Sequence, residues 1–524
     1  MSLATADIPT DPKALTAFAA AMQAELKTSN LLVEKLKSQL AALKRARFGA
    51  SSERLDREVE QLELMIGDLE EETAFAGARS DAAAEKADVA PPRRTRTRGP
   101  RRPLPASLPR EFIRHEPPAC CAACGSAKLT VIGEDEREVL EYVPAHFKVI
   151  VHVRPKVSCR ACEAVAQAPM PPVPIERALP GPGLLAHIAV AKFCDHQPLY
   201  RQCDIYARSG LALDRATLAE WMGHLAFRLQ PLVEAIGDHV RAGGVLHADD
   251  TPVPVLDPGR GKTKTGRLWT AVRDERPWAS SASPAAFYIY SPDRKGEHAE
   301  TLLGACRGFL HADGYAGFNT LYVCETPGAA PRLTEVACWA HARRKIWEVH
   351  QATGSEAARQ ALERIAELFA IEAEIRGRPP EARLAVRQAK AVPKLAELKA
   401  FLDQTLAQIS RKSTLAGAIR YATARWAALA RFTTDGRLEM TNNAAERAIR
   451  PLALGRKNYL FAGSDAGGQR AAAFYTLTTT ARLNGLDPEA WLADVIHRIA
   501  DHPMSRLGEL LPWNWRNADH AQAA

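Results

Sequence analysis

Val245-Leu246-His247-Ala248-Asp249 is a short apolar run that stops on a carboxylate, and the pattern returns at Phe309-Leu310-His311-Ala312-Asp313. Continuous apolar runs of this length fit strands buried on both faces. Each of two core strands therefore ends on an acid. Asp250 adjoins Asp249, but alternation along a strand sends the two side chains to opposite faces, so one alone can be central. The repeated His-Ala-Asp selects Asp249. His247 and His311 read as packed core residues. A third acid, Glu446, stands in Thr441-Asn442-Asn443-Ala444-Ala445-Glu446-Arg447, where Asn442 and Asn443 are placed to cap a helix.

Working outward, residues 267–273 and 286–290 read as strands, 297–306 as helix, 308–313 and 335–339 as strands, with a helix from Ala340. Three strands, then helix, strand, helix, strand, helix is the order of a ribonuclease H-like α/β core. Residues 351–440 are rich in Ala, Leu, Glu and Arg and read as a helical insertion ahead of Glu446. The expected whole is a multidomain α+β protein.

Acids at two strand ends and on a neighbouring helix suit phosphodiester chemistry. Two Mg²⁺ (or Mn²⁺) ions about 4 Å apart stabilise an in-line transition state and activate water or a hydroxyl. These ions are hard and take carboxylate oxygens. The expected ligands are Asp249, bridging both ions, with Asp313 on one and Glu446 on the other.

The chain has 524 residues, enough for several domains at roughly 150 residues each. Its net charge of +8 is a mild excess that favours an anionic partner. No apolar run approaches the roughly 20 residues of a membrane span, and no signal segment opens the chain, so a cytoplasmic location is expected. Ten cysteines are too few for a disulfide scaffold.

Upstream of the core, Met22, Leu26, Ser29, Val33, Leu36, Leu40 and Leu43 step by four and three, and Leu55, Val59, Leu62, Ile66 and Leu69 resume the pattern. Such a seam pairs helices as a coiled coil, predicting a homodimer or higher oligomer. After an Ala- and acid-rich linker, residues 93–110 hold seven arginines and no acid. An arm of this kind cannot pack and suits DNA phosphates or a minor groove. Cys121 and Cys124, then Cys159 and Cys162, form two Cys-x-x-Cys pairs with 34 residues between them. Four thiolates at that spacing close a tetrahedral structural Zn²⁺ site, with strands expected at 138–143 and 147–153 in a zinc-ribbon layout. Helical patterns at 184–193, 198–208 and 215–229, broken by Ser209-Gly210, resemble a helix-turn-helix, with Asp214 as N-cap of the third.

The DNA-facing candidates follow from these segments. They are Arg94, Arg96, Arg98, Arg101 and Arg102 in the arm, and Arg215 opening the third helix. Lys262 and Lys264 lie in a Gly-rich loop that precedes a strand and so is no nucleotide-binding P-loop. Arg343, Arg344 and Lys345 follow a strand, and Arg447, Arg450, Arg456 and Lys457 surround Glu446.

Four stretches carry a family resemblance. His-Ala-Asp-Asp-Thr-Pro-Val-Pro-Val-Leu at 247–256, Ala-Asp-Gly-Tyr-Ala-Gly-Phe at 312–318, Cys-Trp-Ala-His-Ala-Arg-Arg-Lys at 338–345 and Asn-Asn-Ala-Ala-Glu-Arg-Ala-Ile-Arg-Pro at 442–451 resemble the transposases of the IS66 insertion-sequence family. The likeness extends to the coiled-coil start, the cysteine pairs and the Leu-Pro-Trp-Asn-Trp end, so it spans nearly the whole chain. It implies a bacterial DDE transposase, nucleoid-associated through DNA, that cuts element ends and joins them to target DNA. Its implied partners are double-stranded DNA (terminal inverted repeats and target) and accessory proteins of the same element. The implied triad is again Asp249, Asp313 and Glu446; Asp250 departs from the Glu usual in the family. A nuclease of the same fold that cuts without joining, and a non-catalytic DNA-binding regulator, are the rival readings.

The expected domains are a coiled coil at 1–72, linker and arm at 73–110, and a zinc domain at 111–172. A helical DNA-binding segment at 173–240 precedes the core at 241–350. The insertion occupies 351–440, the Glu-bearing end of the core 441–470, and terminal helices 471–524. The cysteine spacing predicts that Cys124→Ser lowers tightly held zinc by one equivalent per chain, read by elemental analysis. Unchanged zinc content would refute the four-thiolate site.

Overall fold

The computed structural model describes residues 180–515 except 258, 260–261 and 324–330, together with 147, 156–158, 165–167 and 174–175. The heptad seams, the arm arginines Arg94 to Arg102, and Cys121, Cys124, Cys159 and Cys162 lie outside the described residues, as does the strand expected at 138–143. The chain divides into two compact units, Asp88–Gln167 and the remainder. In the smaller unit, β1 (Lys156–Ser158) and β2 (Val165–Gln167) pair antiparallel with Ser158 opposite Val165. The sequence linking them contains Cys159 and Cys162.

The larger unit is built on a mixed five-stranded sheet. Its strands are β3 (Val245–Leu256), β4 (Thr263–Arg273), β5 (Ala285–Ser291), β6 (Gly308–Ala312) and β7 (Leu333–Ala337). Their order across the sheet is β5-β4-β3-β6-β7. The first three are antiparallel neighbours, and β6 and β7 continue parallel to β3.

β3 is longer than its apolar start, because it continues through Pro252 and Pro254. Proline cannot donate to a ladder, so it needs a strand edge that faces no partner strand. β3 pairs with β4 from His247 to Leu256, but with β6 only from Val245 to His247. Past His247 its second edge is covered by residues 442–462 instead. Asn442 Nδ2 donates to the Ala248 carbonyl at 2.9 Å, and Arg456 donates to the Pro252 carbonyl. Ala462 donates to the Pro254 carbonyl at 2.8 Å and accepts the Leu256 N–H at 2.9 Å.

The outer edge of β5 is covered in a similar way. It lies against α12 (Asp465–Leu483), whose Thr476 hydroxyl accepts the Tyr288 N–H at 3.0 Å. The Thr480 hydroxyl accepts the Ala286 N–H at 3.2 Å and donates to the Ala286 carbonyl at 3.1 Å. An edge strand buried under a helix must find its hydrogen bonds in side chains, and these threonines supply them. α12 starts before residue 471, where the terminal helices were expected to begin, and packs into the sheet core, so the terminal helices continue that core.

Three helices precede the sheet: α1 (Pro182–Phe193), α2 (Leu199–Arg208) and α3 (Arg215–Arg241). α3 runs a dozen residues past its expected end and leads almost directly into β3. Leu218, Trp221, Leu225, Leu229, Leu232 and Ile236 line one buried face of it, in the same apolar cluster as the sheet, α12 and α13 (Pro488–Arg498). Most of its length is thus core packing, with Arg215 exposed at its start. Asp214 holds the N-cap position without a side-chain cap, whereas Asp487 caps α13 through the Glu489 N–H at 3.0 Å.

A second apolar cluster joins β7 to the helical insertion. The helices are α5 (Trp339–Thr353), α6 (Glu356–Ile375), α7 (Pro380–Val386), α8 (Val392–Gln408), α9 (Thr414–Ala424) and α10 (Trp426–Ala430); α4 (Gly296–Leu303) lies earlier, between β5 and β6. A π-turn at Arg387–Ala391 joins α7 to α8 just before Pro393. Pro393 has no N–H to continue the α-helical ladder, and a wider turn absorbs the break. Arg387, fully buried on α7's continuation, pairs with Glu372 at 2.6 Å. It also donates to the carbonyls of Phe432 (2.9 Å), Asp435 (3.0 Å) and Leu438 (2.8 Å). Arg383 pairs with Glu439 and Glu372 beside it.

Arg387→Met keeps apolar volume but leaves Glu372 only its longer contact to Arg383 at 3.5 Å and takes one donor from each of three carbonyls. Denaturant unfolding is expected to show a loss of about 3–5 kcal/mol, the cost of breaking a buried pair from one side. A change within about 0.5 kcal/mol, typical of a surface site, would contradict this role.

Candidate active site

The parallel register sets Val245 beside Phe309, Leu246 beside Leu310 and His247 beside His311, so the two His-Ala-Asp repeats lie side by side. Two residues further, Asp249 and Asp313 continue from the same face of the sheet. Asp249 lies within β3, where its Oδ1 accepts the Asp250 N–H at 2.7 Å. Asp313 is the first residue past β6. Its Oδ1 accepts the Tyr315 N–H at 2.9 Å across Gly314, which takes a left-handed φ of 83°. An Asx turn of this kind fixes a carboxylate against its own backbone. The insertion clamps it from outside: Tyr421 donates to the Asp313 carbonyl at 3.0 Å and Arg425 to the Gly314 carbonyl at 2.7 Å.

Beneath the acids, the rings of His247 and His311 stack 4.2 Å apart, both fully buried. Burial pushes His247 down to about 4, and burial followed by the neighbouring His247 holds His311 well below the ordinary imidazole range. Both are neutral near pH 7. His247 Nδ1 meets Asn442 Oδ1 at 3.2 Å, while the Asn442 backbone N–H reaches Cys338 Sγ at 3.2 Å. Asn442 occupies the N-cap position of α11 (Asn443–Gly455), yet its side chain makes no cap. It bonds β3 and His247 instead, and so pins the start of the helix that carries Glu446 in its first turn.

The electrostatics register this crowding. The Asp249 carboxyl is held well above the ordinary carboxylate range, by burial first and then by Asp313, Asp250 and Glu446 in that order. Asp250 points the other way, with a side chain 1% exposed, into Arg267 at 2.5 Å and Arg294 at 2.8 Å. Its charge is matched, whereas that of Asp249 is not. Arg294 also stacks over Tyr315, 3.8 Å from the ring centroid, beside the Asp313 turn.

Glu446 is buried, and its Oε1 makes no hydrogen bond among the described residues. His341 Nδ1 lies 3.5 Å from it. The sequence showed His341 and Cys338 only as members of the 338–345 stretch, with no role assigned, and did not single out Arg294. Arg294 follows β5 in a plain Pro-Asp-Arg turn, and only the sheet order brings that turn to Asp250.

The basic candidates separate into two groups. Lys264 pairs with Asp465 at 2.7 Å, Arg456 is tied to the β3 edge, and Lys345 lies over the Tyr421 ring at 4.9 Å. Arg450 is partly buried, and burial lowers its pKa. Arg343 and Arg344 are half-buried on α5, while Arg215, Lys262, Arg447 and Lys457 are exposed.

The chain matches the family model described as "Transposase IS66 family" over residues 177–470. Residues 35–113 match "Transposase C of IS166 homeodomain", 118–163 "zinc-finger binding domain of transposase IS66", and 476–513 "IS66 C-terminal element". Similar proteins come from Sinorhizobium fredii (strain NBRC 101917 / NGR234). "Uncharacterized protein y4hP" is 43% identical over 93% of this chain and 89% of its own length. "Uncharacterized protein y4qI" is 38% identical over 98% and 99%. "Uncharacterized protein y4jD" is 39% identical over 94% and 97%.

An acid whose folded pKa lies above its unfolded value, about 3.9 for Asp, costs stability as pH rises from that value through the folded one. The cost is complete above the folded pKa. Asp249→Asn keeps an oxygen for the Asp250 N–H and removes this charge. In Mg²⁺-free buffer at pH 7 it is expected to raise Tm by at least about 2 °C. Added Mg²⁺ should narrow the gap by stabilising the wild type. An Asn variant no more stable than wild type would contradict the crowding.

Proposed function

The chain belongs to the IS66 transposase family, and on that premise we propose that Asp249, Asp313 and Glu446 hold two Mg²⁺ ions for cleaving element ends and joining them to target DNA. The observation that carries this reading is the register that sets the two His-Ala-Asp repeats side by side, with Asn442 tying the start of α11 to the same strand. Three acids from β3, the β6 end and α11 act on one another, no arginine among the described residues pairs with Asp249, and such a cluster asks for a cation. The orphaned Oε1 of Glu446 fits the same need, since a buried carboxylate oxygen without a donor is costly. An all-oxygen donor set suits Mg²⁺ or Mn²⁺. The sheet order β5-β4-β3-β6-β7, antiparallel then parallel, supports a ribonuclease H-like core.

When bound, the ions would activate the attacking oxygen and stabilise charge on the phosphate. The protein's own part is placement. Asp249 is fixed by β3 and Asp313 by its Asx turn, while Asn442 fixes the start of α11. Arg294, paired with Asp250 and partly open to solvent, supplies a positive rim for phosphate. Exposed Arg447, Lys457, Lys262 and Arg215 are proposed as further phosphate contacts. The neutral histidine pair carries no charge that would compete with cations for the acids. The arm, the zinc module and the coiled coil are proposed to grip DNA and to pair protomers.

The test is a joining assay with labelled element ends, target plasmid and Mg²⁺. Joined product is expected, and Asp313→Asn should lower it roughly a thousandfold, equivalent to about 4 kcal/mol of transition-state stabilisation. Nicks without joining would point to a nuclease, and a mobility shift without nicks to a regulator; either result overturns the proposal. Joining that survives Asp313→Asn would overturn the triad.

A further inference from the structure

Glu446 also faces two softer ligands that the proposed reaction does not use. Cys338 Sγ, His341 Nδ1 and a Glu446 carboxylate oxygen all lie within 4.8 Å of one another. Cys338 is the N-cap residue of α5, His341 sits three positions on in its first turn, and Glu446 is in the first turn of α11. Two separate helix starts thus converge on one point. Asn442 joins them, because its backbone N–H bonds Cys338 Sγ while its carbonyl accepts the Glu446 N–H at 3.3 Å.

His341 Nδ1 and Glu446 Oε1 are both shut off from solvent, and neither has a hydrogen-bond partner among the described residues. Their side chains are 22% and 6% exposed. Two orphaned polar atoms facing each other with a thiol beside them need a common partner. Zn²⁺ takes thiolate, imidazole and carboxylate together, at about 2.3, 2.0–2.1 and 2.0–2.2 Å. A tetrahedron with those bond lengths sets nitrogen and oxygen about 3.4 Å apart, and here they stand 3.5 Å apart. Mg²⁺ avoids sulfur, so the two metals would sort by ligand softness.

We propose that Cys338, His341 and Glu446 form a Zn²⁺ site, separate from the four-cysteine module, with a fourth position left for water. Zinc binding converts the Cys338 thiol to thiolate and releases its proton to solvent. Zinc held there engages Glu446 and removes it from Asp249 and Asp313, so zinc inhibits the Mg²⁺-dependent reaction. The inhibitory half rests on the function proposed above; the binding half does not.

The full chain, saturated with ZnCl₂ and desalted, is assayed for bound zinc by elemental mass spectrometry. Wild type is expected to hold two equivalents, and Cys338→Ser and His341→Ala one each. His341 is part-exposed, so its variant keeps the test available if the buried serine unfolds the protein. Wild type saturating at one equivalent, or both variants retaining two, overturns the site. With Mg²⁺ in excess, micromolar Zn²⁺ should suppress joining by wild type, and His341→Ala should need at least roughly tenfold more. Equal sensitivity overturns the inhibition. Two bound zincs without any joining would leave this site standing and sink the transposition reading instead.

Discussion

β3 pairs with a strand on both edges only at His247, where its ladder to β6 ends and its ladder to β4 begins. From Ala248 on, one edge belongs to a segment nearly two hundred residues later in sequence, and Asn442 is where that segment takes hold. Its side-chain amide joins the Ala248 carbonyl to His247, and its backbone N–H bonds Cys338. Through that one fully buried residue, the helix carrying Glu446 is registered against the strand carrying Asp249. The bridge at Val255 and Ala462 closes the far end of the same seam. Pro252 and Pro254 fit this arrangement, since they have no N–H to donate and their carbonyls are taken by Arg456 and Ala462.

The helical insertion supports the same geometry from behind. Arg387 and Arg383 gather the carbonyls and carboxylates around residues 432–439, which lead into Asn442. Tyr421 and Arg425 hold the turn after Asp313. Two of the three acids therefore owe their position to helices outside the sheet. The proposed site works against the fold, because like charges crowd Asp249. Two extensive apolar clusters and a buried arginine network offset that strain. This is the usual relation between a binding site and the scaffold that carries it.

The strand pattern and the paired His-Ala-Asp repeats were legible because each is a local signal. The histidines were read as packed core, and the sheet stacks them. Long-range facts were not legible. The true length of β3 was hidden by two prolines, which mark a strand end unless the edge they face is known. α3 was read as part of a DNA-binding module because short helical patterns broken at Ser209-Gly210 resemble a helix-turn-helix, while the apolar face packing it onto the sheet runs past the expected stop. Asn442 was read as a cap, since local chemistry favours that use and a tertiary hydrogen bond overrode it. Lys264 and Arg456 were read as DNA-facing from charge and position, while their contacts to Asp465 and the Pro252 carbonyl depend on distant residues that a local reading does not bring together. Arg294 and Cys338 gave no signal, because their importance lies in which distant residue they meet.

The convergence of the three acids is open to direct observation. Crystals of the full chain grown with Mn²⁺ would be measured at the manganese absorption edge, where the ion scatters anomalously and protein atoms do not. Anomalous peaks are expected between the carboxylates of Asp249 and Asp313, with Glu446 reaching one of them. Peaks confined to other parts of the molecule, or a Glu446 carboxylate turned away from every ion at Asp249, would contradict the shared site.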